Sequence, residues 1–332
     1  MNEIIKNSDT METEAPLVSV AAISYMHANY IRKALDSVLE QKVDFKYEIV
    51  VGEDASHDGT ADILLEYQNK YPEIIIPLIN EKNIGASHNS YNVQLHCRGK
   101  YIAPLECDDF WCDPNRLQKQ VDYLETHPEL SAVGSNYYCV DHNGETNRIS
   151  MTKREVSKTY YLNDYLYNGF TIHGGTLLYR NFFPLQSERY KRVRFCAPTM
   201  GDVFARCLLY DYGGIYVFPE PMHCHRDGSK DATSFTARQK TDAMKYTYMM
   251  QNIVEEMNWY FDGKYDFSPK VCTRMAAVFL SWLLGSAQIS IREWQDFLMT
   301  MRLHDQIFVI NRIVVFGGRK AIRKLLCVLG AL

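Results

Sequence analysis

Over the first 140 residues, apolar and polar positions follow two alternating rhythms. Runs at 17–23, 47–51, 74–78, 101–105 and 130–140 are rich in Val, Ile and Tyr, which predicts β-strands. Between them, 30–39, 60–70, 83–96 and 114–126 carry helical spacing. Ile31, Leu35, Val38 and Leu39 share one face of the first, and Ile63, Leu64 and Tyr67 one face of the second. Such alternation predicts a doubly wound α/β fold with a mostly parallel central sheet flanked by helices. Sites in these sheets lie beyond the carboxyl ends of the strands. The loops after Ile23, Val51 and Leu105 begin at such ends, and all are polar.

The second half loses this rhythm. Helical spacing is expected over 163–170, a loop leading into a strand over 171–179, and a helix from Gly201 stopped by Gly213 and Gly214. A strand covers 215–218, and beyond about 231 the pattern is helical. No repeat, low-complexity tract or Pro/Ser linker divides the chain. The expected organisation is therefore a disordered leader at 1–15, an α/β domain at 16–230 and a helical extension at 231–332.

Composition narrows the picture. The 332 residues are 46% apolar and 23% charged, which is globular. A net charge of −4 leaves no basic excess for nucleic acid. Nine cysteines, an odd number with no Cys-x-x-Cys pair, argue for a reducing compartment rather than a disulfide framework. Residues 1–15 lack the apolar core of a signal peptide, and no run reaches the length of a membrane span. The tail, 307–329, mixes bulky apolar residues with Arg312, Arg319, Lys320, Arg323 and Lys324 and contains no acid. It suits either peripheral contact with an anionic membrane or packing against the domain or a homodimer partner.

Candidate chemistry concentrates at the strand ends. The run Tyr101 to Leu105 ends abruptly in Glu106, Asp108 and Asp109, backed by Phe110 and Trp111. Crowded carboxylates repel one another, so a cation belongs among them, and hard oxygen ligands suit Mg²⁺ or Mn²⁺. The alternative is a solvated acidic loop. After Val51, Ser56 is expected to cap the next helix and Asp58-Gly59 to turn, which leaves Glu53 and Asp54 unexplained. In His223-Cys224-His225, alternation along a strand lets only the two histidines share a site.

These segments together resemble the family 2 glycosyltransferases. The matching residues are Val18 to Tyr25, Tyr30 to Leu39, Tyr47 to Thr60, Asn83-Ile84-Gly85, Gly99 to Ile102, and Leu105 to Trp111 with Asp113-Pro114. They follow in the order and rough spacing of that family's GT-A domain. The resemblance implies a GT-A nucleotide-diphospho-sugar transferase fold and an inverting enzyme that uses Mn²⁺ or Mg²⁺. Its donor would be a nucleotide sugar, expected to carry UDP, and its acceptor a glycan or lipid-linked glycan in surface polysaccharide synthesis. The expected location is cytoplasmic, or peripheral on the cytoplasmic membrane face.

Residue by residue, the resemblance puts Glu53 and Asp54 on the acidic pair that contacts uracil and ribose. Ser24, Tyr25 and Asn83 join them in the nucleotide site. Glu106 and Asp108 fall on the metal motif with Asp109 beside them, and His225 on a histidine that reaches the metal. His173 and Gly174 face the acceptor. Asp202, in Met200-Gly201-Asp202, falls on the catalytic base; the alternative is a helix-start residue favoured by the macrodipole. Glu53 and Glu106 stand where the family more often has Asp, and His88 where Arg is frequent. Two competing functions share the fold. A nucleotidyltransferase needs a basic, Gly-rich loop after the first strand, and Ser24 to Tyr30 contains no Gly, Lys or Arg. A non-catalytic, membrane-docked scaffold is the other.

Overall fold

The computed structural model describes residues 15–167, 171–197, 200–226, 242–287 and 289–329; the expected leader falls outside these, apart from its last residue. Strands β1 (Val18–Ser24), β2 (Tyr47–Glu53), β3 (Ile75–Ile79) and β4 (Tyr101–Glu106) alternate with helices α1 (Ile31–Leu39), α2 (Thr60–Lys70) and α3 (Ala86–His96). After them come β5 (Phe110–Trp111), α4 (Arg116–Thr126), β6 (Leu130–Val140), β7 (Thr146–Ile149), β8 (Lys158–Tyr160) and α5 (Leu162–Tyr167). A 3₁₀ turn at Gly174–Thr176 leads to β9 (Leu178–Arg180), α6 (Glu188–Phe195), α7 (Gly201–Tyr212) and β10 (Gly214–Arg226). The described part of the extension is all helical, as expected: α8 (Ala243–Tyr260), α9 (Ser268–Leu283), α10 (Ile291–Thr300) and α11 (Leu303–Val328).

All ten strands form one sheet in the order β3-β2-β1-β4-β9-β6-β10-β5, with β7 added to β6 and β8 to β10. The first four pair in parallel, and so do β6 and β10. β9 enters antiparallel to both β4 and β6, so the second half of the sheet is mixed. β10 outruns the strand expected at 215–218 because the chain passes Pro219 and Pro221 through register shifts instead of stopping.

Period-two alternation sorts the core. Val18, Val20 and Ala22, Ile49 and Val51, and Tyr101, Ala103 and Leu105 face a layer built by Ile31, Leu35, Leu64, Leu117 and Val121. Ala21, Val50 and Ile102 point the other way, into a larger core with Val93, Tyr190, Phe204, Ile253 and Phe279. The tail helix α11 buries Val309, Ile313, Ala321 and Leu325 in that second core. It leaves Leu303, Ile307, Val315 and Phe316 exposed.

At the amino end of the sheet one buried carboxylate ties three parallel strands. Glu48 on β2 accepts from Ser19 Oγ on β1 at 2.6 Å. It also accepts the Arg98 backbone N–H at 2.8 Å, just ahead of β4, and the Arg98 guanidinium at 2.6 and 2.9 Å. Ser19 Oγ in turn accepts from Gly99 N–H at 2.7 Å. The guanidinium is largely solvated and adds little; the buried hydroxyl and amide are the costly groups to strand. Glu48→Ala is expected to cost about 2–3 kcal/mol, measured by urea denaturation, with Glu48→Gln losing less.

Candidate active site

Two loops meet beyond β1 and β2. Backbone N–H groups of Met26, His27 and Ala28 donate to Ser56 Oγ, Thr60 Oγ1 and Asp58 Oδ2 at 2.8, 3.0 and 2.9 Å. Ser56 thus staples one loop to the other and does not cap α2; Asp58 Oδ1 takes the Thr60 N–H instead. Tyr25, at the head of the first loop, is 46% exposed, while Ser24 Oγ is buried without a hydrogen-bond partner. Glu53 and Asp54 are 1% and 2% exposed. Glu53 accepts the N–H groups of Ala55 and Ser56 at 3.1 and 2.9 Å. Asp54 accepts those of Ile84 and Gly85, at 2.8 and 2.9 Å, and the Asn80 amide at 3.1 Å. Asn83 donates to the Asp54 carbonyl at 3.3 Å. The acidic pair therefore uses its oxygens to hold the loops that surround it, and the exposed surface belongs to Tyr25.

At the end of β4 the three acidic residues part company. Asp109 is buried and accepts His223 Nε2 at 3.0 Å, His225 Nδ1 at 3.1 Å and the Arg226 backbone N–H at 2.7 Å. Burial opposes its charge, but the two histidine bonds outweigh burial and hold the carboxyl well below the usual range. Asp108 is raised by burial and by the Asp109 charge, and its Oδ1 is buried without a partner. Glu106 keeps an exposed side chain within a protein-walled recess; that enclosure, then Asp108 and Asp109, pushes it up to about 8. Arg226 clamps the group from behind. Its guanidinium donates to the carbonyls of Asp108, Asp141 and His142 and lies 4.3 Å from the Tyr30 ring centroid. Only its charge marked it in the sequence.

Three imidazoles gather here. The His173 ring centroid lies 4.4 Å from that of His225 and 5.3 Å from that of His223. The fit requires Gly175, where a Cβ would come within 2.7 Å of the His223 ring. Burial lowers His223 despite Asp109, and lowers His173 further with help from its two neighbours. His225 goes the other way: its bond to Asp109 and the surrounding carboxylates overcome burial and raise it.

Two groupings could accept a cation. Asp109, His173 and His223 bring ligand atoms within 4.8 Å of one another, a nitrogen-rich set suited to softer transition metals. Yet Asp109 is already occupied by histidine and backbone donors. Glu106 and Asp108 offer hard oxygens, one of them partnerless and buried. His225 gives Nδ1–H to Asp109 and makes no bond through Nε2 among the described residues, the usual posture of a metal-ligating histidine. Glu106, Asp108 and His225 have the donor chemistry for Mn²⁺ or Mg²⁺, with Asp109 as their support, although among the described residues three ligand atoms lie within 4.8 Å of one another only at Asp109, His173 and His223.

Asp202 opens α7. Its carboxylate is 58% exposed and meets Arg206, one turn on, at 2.8 Å. Its charge adds, as the smallest of the named causes, to the upward shift of Glu106, so the two carboxylates lie within electrostatic reach of one another. The glycine before it leaves room for the Arg194 guanidinium, which packs where a Cβ of residue 201 would stand. Gly174 lies on the Arg206 side: a Cβ there would sit 4.0 Å from Nη2. A separate depression of about 400 Å³, lined by Gln94, Asn181, Phe183 and Leu185, lies at the amino end of β4 and contains none of these groups.

The Asp109 bonds predict a spectroscopic result. In metal-free protein, Asp109→Asn should remove most of the upward shift of His225, read by histidine NMR titration. An unmoved His225 would show that Asp109 does not set its protonation.

Comparison with known proteins agrees with this architecture. The family model for glycosyl transferase family 2 matches residues 19–186. An uncharacterized protein of Mycobacterium tuberculosis (strain ATCC 25618 / H37Rv) is 32% identical over 218 residues, which cover 63% of this chain. The match spans 58% of that relative's length. Chondroitin synthase of Escherichia coli is 30% identical over 129 residues, 39% of this chain and 18% of that one. The solved structure of S. aureus TarS residues 1–349 with UDP-GlcNAc superposes with a TM-score of 0.56 at 17% identity, over 89% of this chain and 79% of that one. At that identity the likeness concerns the GT-A fold alone. On the family match, which takes in β1 to β9 and the acidic loop, the chain belongs to glycosyl transferase family 2.

Proposed function

We propose that this chain transfers a sugar, with inversion, from a nucleotide donor to a hydroxyl of a glycan or lipid-linked glycan, as in surface polysaccharide synthesis. The observation that carries the reading is the nearness of two acidic groups: Glu106 ends β4 with Asp108 just beyond it, and Asp202, in the first turn of α7, lies within electrostatic reach of Glu106. Tyr25 offers the donor's base an exposed aromatic face. Ser24 and Asn83 line the nucleoside side, and Glu53 and Asp54 keep that side ordered. A UDP donor is the reading taken from family resemblance and from the UDP-GlcNAc in the TarS structure. The catalytic unit is 16–230, and 231–332 is its helical extension.

In the proposed reaction, Asp202 takes the proton of the acceptor hydroxyl while that oxygen bonds to the anomeric carbon and the bond to the diphosphate breaks. Arg206 keeps the carboxylate oriented from behind. Glu106, Asp108 and His225 would hold Mn²⁺ or Mg²⁺, which would offset the charge of the departing diphosphate. Asp109 fixes the His225 tautomer so that Nε2 is free to ligate. His173 and Gly174 border the acceptor side.

The tail reading is peripheral membrane contact from the cytoplasmic side. No described helix is long and apolar enough to cross a membrane. Leu303, Val315 and Phe316 are nevertheless 72%, 73% and 64% exposed on a helix whose sequence carries only basic charge after Asp305. That combination supports interfacial docking on an anionic bilayer.

Two experiments test these readings. With a panel of nucleotide sugars and Mn²⁺, slow release of a nucleoside diphosphate is expected, lost in Asp108→Ala and reduced about 10²–10⁴-fold in kcat for acceptor transfer in Asp202→Asn. Pyrophosphate-dependent formation of a nucleoside triphosphate would overturn the transferase reading. In flotation, full-length protein should rise with phosphatidylglycerol vesicles and not with neutral ones. Val315→Asp with Phe316→Asp should remove the association, and equal flotation of that variant would remove the tail from the account.

A further inference from the structure

Beneath Asp202 the molecule gathers more positive than negative charge. Arg206 on α7 is only 15% exposed at its side chain, and its single ion-pair partner among the described residues is Asp202, at 2.8 Å. Lys270 on α9 lies within electrostatic reach of both Arg206 and Asp202. Its ammonium lies 3.5 Å from the Tyr165 ring centroid and donates one long bond, 3.4 Å, to the Tyr165 carbonyl. An ammonium has three donors, and no carboxylate pairs with this one among the described residues. Tyr165 stands near both cations, since it also helps to raise Arg206. Two enclosed cations thus share one carboxylate, and that carboxylate is turned more than half to solvent.

Burying a charge without a partner is unfavourable, and the chain has two ways to relieve it here. Lys270 can shed its proton, and burial followed by the repulsion of Arg206 indeed brings it down to about 8. The alternative is an anion from outside. A Cβ at Gly174 would lie 4.0 Å from Arg206 Nη2, so the glycine sets no side chain of its own over the guanidinium.

We propose that Arg206 and Lys270 form a subsite for an anionic group, phosphate or carboxylate, carried by the acceptor next to the hydroxyl that Asp202 deprotonates. This rests on the transferase reading above. It adds what that reading leaves open: an acceptor with a negative charge close to the attacking oxygen. A planar guanidinium takes two oxygens of such a group side by side, and the ammonium takes a third contact as a point charge. The acidic and basic ends of the cleft would then be filled together, one by a cation and the other by an anion.

The test compares glucose, glucuronate and glucose 6-phosphate as acceptor probes. Each is titrated into full-length protein with Mn²⁺ and a nucleotide sugar that supports nucleoside diphosphate release. One of the charged probes is expected to half-saturate the stimulated release at a concentration about tenfold below that of glucose, and which one identifies the anion. Lys270→Met should erase most of that advantage and Lys270→Arg should retain it; Arg206 variants are less informative because they also free Asp202. Equal action of all three probes, or an undiminished advantage in Lys270→Met, overturns the subsite. If no nucleotide sugar is turned over, the transferase reading fails on its own. The subsite is then decided by inorganic phosphate binding to chelator-treated protein, followed by ³¹P NMR. Binding that weakens about tenfold in Lys270→Met supports it, and binding unchanged in that variant, or none in either protein, rejects it.

Discussion

The bond set of Asp109 is the constraint on which the rest of the site depends. One buried carboxylate receives two imidazoles and a backbone amide from the end of β10, and so fixes the distance between that strand and the acidic loop after β4. The β5–β10 pairing and the Arg226 bond to the Asp108 carbonyl hold the same two segments together. Because Asp109 is committed, Asp108 and Glu106 are left crowded and underserved, which is the condition for attracting a cation. The division of labour is between one carboxylate that closes the structure and two that remain open to a ligand.

Much of the fold was legible in the sequence because its main signals are local. The alternation of Val18, Val20 and Ala22 against Ala21, and the helical faces of α1 and α2, arise within single elements and survive in the structure unchanged. The parts that escaped are those whose cause lies elsewhere in the chain. β5 has two residues and β8 three, too few for a period to show, and both exist because the longer β10 pairs with them. β10 was cut short by its prolines, whose bulges a reading of the sequence cannot foresee.

The candidate site divides in the same manner. Its location at the strand ends was readable from residue type and order, whereas Asp202 was assigned to it through the family resemblance alone. The internal partners of Glu53 and Asp54 were not, since the amides they accept belong to loops whose course depends on the finished fold. Arg226, Arg206 and Lys270 had no distinguishing pattern, as cations are common on helices and at strand ends. Their meaning comes from enclosure, which only three dimensions supply. Gly201 is the intermediate case. Its place before Asp202 was visible, whereas its reason, the Arg194 guanidinium lying against it, was hidden.

The Glu48 cluster reaches beyond stability. It sits at residue 19 of β1 and 48 of β2, paired in register, and from there both strands run five residues further to Ser24 and Glu53, which again face one another. On the other side Ser19 pairs with Ile102 and Ile23 with Glu106. The cluster therefore acts as the zero mark of a ruler about 17 Å long, at roughly 3.3 Å per residue, with the donor loops and the acidic loop at its far end. Insertions in the connecting helices leave this ruler untouched, whereas a single residue gained or lost within one strand would offset one wall of the cleft against the others. Evolution of new specificities on this frame is thus free in the loops and tightly bound in three short stretches of strand.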